Sequence, residues 1–72
     1  MTQKLIIHTS MFGPRSKDIY VCLKSHDKSV EYRARSRLEA RRFIEYALRL
    51  HFSDAKYQII RDGDVTIDFR AY

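Results

Sequence analysis

Arg33-Ala34-Arg35-Ser36-Arg37-Leu38-Glu39-Ala40-Arg41-Arg42 is the stretch in which one hydrophobic periodicity hands over to another. Up to Arg35 the pattern has a period of two: Val30, Tyr32 and Ala34 alternate with Glu31, Arg33 and Arg35, as in a half-buried strand. Ser36 and Glu39 then make an S-x-x-E capping box, in which the hydroxyl accepts the N3 amide and the carboxylate reaches back to the cap's own N–H. A helix is predicted over Arg37 to Phe52. Ala40, Phe43, Ile44, Ala47, Leu48, Leu50 and His51 fall on its inner arc, while Arg41, Arg42, Glu45 and Arg49 face away.

Upstream of this junction, Ile19, Val21 and Leu23 alternate with Tyr20, Cys22 and Lys24, so a second strand precedes the first. The two form a hairpin through Ser25-His26-Asp27-Lys28. Setting Leu23 opposite Val30 puts all six inward residues on one face, through a two-residue turn at His26-Asp27 or a four-residue loop. The other face then brings Arg33 near Tyr20 and Arg35 near Asp18. Lys4 to Thr9 reads as an earlier strand, and Met11 to Lys17, broken by Gly13-Pro14, as a loop.

Downstream, Lys56 to Tyr72 reads as another hairpin. A three-residue loop Arg61-Asp62-Gly63, with Gly63 as the left-handed residue of a bulge, aligns Tyr57, Ile59, Val65, Ile67 and Phe69 on one face. The expected fold class is α+β: a single small domain over residues 1–72, ordered β-β-β-α-β-β, with an antiparallel-rich sheet covered on one face by one α-helix.

The chain of 72 residues is 44% hydrophobic with one proline and two glycines, a composition that folds but leaves a thin stability margin. A formal charge of +5 and a pI near 9.7 favour nucleic acid or an acidic protein surface as partner. Cys22 is the single cysteine, which excludes an intrachain disulfide and a cysteine-based zinc site. No apolar run approaches the roughly 20 residues of a membrane span, so no membrane association and a cytoplasmic location are expected. Uncovered strand edges in so short a chain offer a route to a homodimer.

Chemistry-bearing motifs are few. His8, His26 and His51 are scattered without metal-ligand spacing, and Cys22 has Glu31 as its expected neighbour, which disfavours a thiolate. Phosphate loops and nucleophile elbows are missing from the sequence, so the expectation is a protein that is not an enzyme and carries no metal or cofactor.

Five arginines in ten residues remain. Cations beside a helix start oppose its macrodipole, and a broken local rule of this kind points to a bound anion. Arg33, Arg35, Arg37 and Arg42 are therefore the candidate contacts, with Tyr20, Lys24 and Arg70, and with His8 and Tyr72 as further side chains of the open sheet face. Arginines interleaved with aromatics on a sheet are how single-strand platforms stack bases and hold backbone. Structural roles compete: Arg33 stacked on Tyr20, Arg35 paired with Asp18, and Arg41, Glu45 and Arg49 in i,i+4 pairs.

The expected function is a small basic module that binds DNA or RNA through the arginine-rich strand–helix junction and the open sheet face. The alternative is a phage or mobile-element accessory protein that binds and inhibits or redirects a host protein complex. In outline, the order of hairpin, helix and strand resembles that of small phage inhibitors of bacterial RNA polymerase. The Met11-Phe12 loop would then be a candidate anchor.

Overall fold

In the computed structural model, which describes residues 3–53 and 57–70, the chain forms β1 (Gln3–Met11), β2 (Ile19–Lys24), β3 (Ser29–Ala34), helix α1 (Arg37–His51) and β4 (Tyr57–Asp62). The class is α+β, with one mixed sheet ordered β3-β2-β1-β4. β2 runs antiparallel to both β1 and β3. β4 runs parallel to β1, because α1 carries the chain across the covered face before it re-enters the sheet on the far side.

The first hairpin has the expected register, with Leu23 opposite Val30. At its tip the Ser25 N–H donates to Lys28 O at 2.8 Å, and the Lys28 N–H is taken by the Ser25 hydroxyl, leaving His26 and Asp27 at the turn. Alternation then sorts the faces. Leu5, Ile7, Ile19, Val21, Leu23 and Ala34 are buried against Ala40, Ile44, Ala47 and Leu48 of the helix.

The helix starts where the sequence placed it. The Ser36 hydroxyl accepts the Glu39 N–H at 3.1 Å. The return half of the box lands one residue early: Glu39 accepts from the Arg35 N–H at 3.3 Å and from the Tyr32 hydroxyl at 2.8 Å. Glu39 thereby ties the helix start to β3, reinforced by Tyr32 stacked on Phe43 at 4.6 Å. At the other end the inner arc is narrower than expected. Leu50 and His51 are exposed, because Phe52 turns in at the C-cap, is buried, and meets Tyr57 edge-on.

The predicted fifth strand is replaced by an extended strap. After Gly63 the chain leaves the sheet: the Val65 N–H donates to Thr9 O at 3.1 Å and the Thr9 hydroxyl donates back to Val65 O. The strap then runs alongside α1, with Arg37 Nη1 donating to Thr66 O at 2.7 Å and the Arg70 N–H to Glu45 at 3.0 Å. Width explains the departure. Four strands about 4.8 Å apart are broader than one helix about 10 Å across. α1 rests on β2 and β3, so a hairpin after β4 would have left the covered face over β1 and β4 bare. Val65 and Ile67 fill that gap and are buried.

Glu45 makes the strap pH-sensitive. Its bond from the Arg70 N–H, and next the one from Arg41 Nε at 3.1 Å, hold its carboxyl below the ordinary range. A carboxylate depressed in the folded state adds stability above its unfolded value and loses it as pH falls through the folded one. Urea midpoints are therefore expected to fall on acidification below about pH 4. Glu45→Gln should flatten that dependence; an unchanged slope would refute the role.

Candidate nucleic-acid interface

Among the described residues neither helix nor strap covers the face of the sheet opposite α1, and register decides what stands on it. One row places Arg33, Tyr20 and Ser10 side by side; the next places Glu31, Cys22, His8 and Asp62; a third places Ser29, Lys24, Ile6 and Ile60. The loop after β1 folds back so that the Phe12 N–H donates to Asp18 O at 3.2 Å, which lays the Phe12 ring on this face.

A continuous run of rings results. The Arg33 guanidinium lies 4.3 Å from the Phe12 centroid, Phe12 meets Tyr20 edge-on at 5.8 Å, and Tyr20 is 5.9 Å from His8. Arg33 also donates to Asp18 at 2.6 Å. His8 Nδ1 lies 3.1 Å from Asp62, and its Nε2 lies 3.2 Å from the Ser10 hydroxyl. Contact with His8, and next the Gly63 N–H, draws the Asp62 carboxyl below its usual range. Hydrogen bonding with Cys22, then desolvation and the Glu31 carboxylate, push the Tyr20 phenol up to about 12, so it stays a neutral hydroxyl. Beside these rings lies an open depression of about 230 Å³ lined by Ile6, His8, Tyr20, Cys22, Lys24 and Asp62.

The residues singled out by sequence divide into three places. Tyr20, Lys24 and Arg33 share the open face with His8. Arg35 and Arg42 are exposed where β3 passes into α1 and on the helix itself. Arg37 and Arg70 hold the strap, Arg70 through its backbone. Tyr72 lies outside the described residues.

Two expected pairings are exchanged for others. Arg33 stacks on Phe12 rather than on Tyr20, because the loop lays that ring between them. Asp18 pairs with Arg33 rather than with Arg35, because β3 ends at Ala34. The Arg41 to Glu45 pair forms as expected. Phe12 is the member that periodicity missed, and its only trace in the sequence is a large aromatic in a polar loop.

Charge on the open face is close to balance, with Lys4, Lys24 and Arg33 set against Asp18, Glu31 and Asp62. Its distinguishing property is therefore aromatic. Among the described residues there is no cluster of three or more metal-ligating side chains, and no helix is long and apolar enough to cross a membrane. Neither a family model, nor a curated protein, nor a solved structure matches this chain.

Proposed function

We propose that the protein is a non-enzymatic module that binds single-stranded nucleic acid across the open sheet face. The observation that carries this reading is the ring path from Arg33 through Phe12 and Tyr20 to His8 on the side of the sheet opposite α1, with Arg33 and Phe12 exposed and Tyr20 and His8 half-buried. Unstacked bases meet such a surface through their faces, irrespective of sequence, whereas a paired duplex presents only its phosphates and groove edges. Lys24 and Arg33, with Arg15 and Lys17 of the adjoining loop, supply cations for the backbone. Arg35 extends them toward the helix start.

The test is fluorescence anisotropy with short single-stranded DNA and RNA oligonucleotides and a matched duplex, across a salt series. Single strands should bind more tightly than duplex. Log affinity should fall with log salt at a shallow slope, about −0.7 per phosphate contact. Tyr20→Ala is expected to weaken binding roughly tenfold, the loss of one stacked base, and Arg33→Glu by a comparable factor. Arg41→Glu, on the helix and away from the open sheet face, should matter less. Equal losses at Tyr20, Arg33 and Arg41 would reduce the interaction to general positive charge and overturn the reading. The reading of a protein partner finds support on a different surface, the outer side of α1.

A further inference from the structure

Helix α1 is apolar on two sides. Its inner side packs on the sheet, yet Leu38, Tyr46 and Leu50 point away from the core with 55%, 59% and 57% of their surface exposed. At 100° per residue these three fall within one 120° sector, and Arg42 lies between them, four residues from both Leu38 and Tyr46. A surface helix of a self-sufficient domain carries charge on that sector rather than leucine.

The same side carries more positive than negative charge: Arg42 and Arg49 share the sector with one carboxylate, Glu39. Both carboxylates of α1 are engaged, Glu39 within the sector and Glu45 at its flank. Glu39 accepts from the Tyr32 hydroxyl and the Arg35 N–H, and Glu45 from Arg41 and the Arg70 N–H. Among the described residues no carboxylate reaches Arg42. An apolar stripe with an uncompensated cation at its centre is complementary to an apolar stripe bordered by carboxylates.

We propose that the outer side of α1 is a docking surface for an acidic amphipathic helix of a partner protein. Leu38, Tyr46 and Leu50 supply the apolar contact and Arg42 the ion pair. A second copy of this chain is disfavoured as occupant, because it brings the same net positive charge of +5 rather than a row of carboxylates to meet Arg42. Nucleic acid would satisfy the arginine but leave the leucines without apolar contact. The surface lies on the opposite side of the sheet from the ring path, so the two activities are independent.

The experiment uses two synthetic peptides of about 18 residues, five helical turns. They share one leucine stripe, bordered by glutamates in one and by lysines in the other. Titration of each into the isotopically labelled protein is followed by amide chemical shifts and by calorimetry. The glutamate peptide should bind with micromolar affinity, as suits a small interface, and shift Leu38, Arg42, Tyr46 and Leu50. Arg42→Glu and Leu50→Ser should each weaken it roughly tenfold; both positions are exposed, so helical circular dichroism should be kept. Tyr20→Ala should leave peptide binding unchanged, which separates this surface from the nucleic-acid reading. Equal binding of both peptides, no binding at millimolar peptide, or shifts confined to His8 and Tyr20 would overturn the proposal. Self-association that Leu50→Ser abolishes would overturn it too, by identifying a second copy as the occupant.

Discussion

Replacing Gly63 with alanine is expected to lower stability by about 3 kcal/mol or more, an effect normally confined to core positions. Gly63 has φ of +101°, a conformation in which a side chain is strained. A Cβ there would lie 2.0 Å from Thr9 O, 2.8 Å from Thr9 C and 2.9 Å from Thr9 N. All three atoms are backbone, so no rotamer change relieves the clash. Thr9 O is also the acceptor for the Val65 N–H, and the Thr9 hydroxyl donates back to Val65 O. Either the end of β1 moves or the strap detaches and exposes Ile7 and Ile44. A chain of this length has about 4–10 kcal/mol in total, and the midpoint of thermal unfolding should drop by about 15 °C or more. Gly13 provides the control, since nothing lies within 4 Å of a Cβ built there. Gly13→Ala should be neutral or slightly stabilising. Comparable losses at both glycines would refute the steric account.

Ile44→Ala is the second large effect, expected at about 3–4 kcal/mol from lost transfer energy and the cavity left behind. Ile44 is fully buried and belongs to the core that joins helix, sheet and strap. It also lines a narrow crevice of about 90 Å³ with Ile7, Thr9, Val65 and Ile67, so the loss enlarges a gap already present. Ile44→Val should cost only about 1 kcal/mol. Hydrogen exchange at the Val65 amide locates the damage. If Ile44 anchors the strap, Val65 should lose protection in Ile44→Ala more than amides between β2 and β3 do. Uniform loss across the sheet would assign Ile44 to the core alone.

The first hairpin and the helix were legible because each rests on local rules. Leu23 faces Val30 since both strands alternate strictly, and the helix begins at Arg37 since Ser36 accepts the Glu39 amide. Where long-range geometry decided, periodicity failed. Val65, Ile67 and Phe69 alternate whether they lie in a strand or in an extended strap, so nothing local tells a ladder from a cover. The competition was settled by the width of the sheet against a single helix. The candidate site divides in the same way. Tyr20 beside Arg33 followed from register, whereas Phe12 arrived through a loop whose course depends on its bond to Asp18. Leu50 and His51 were assigned to the core by an apolar arc that did not anticipate Phe52 turning in at the cap.

The parallel pairing of β1 with β4 also sets an order of events during synthesis. His8 and Asp62 lie 54 residues apart in sequence yet side by side in the sheet. While the ribosome is still making the helix, β1 can zip onto β2 along one side, but its other side has no strand to meet. Its N–H and C=O groups there stay open to any extended peptide nearby. Only when Tyr57–Asp62 emerges does the growing chain seal its own first strand. A chain cut before that point would lack both β4 and the strap, leaving that edge of β1 bare and prone to pair with its siblings.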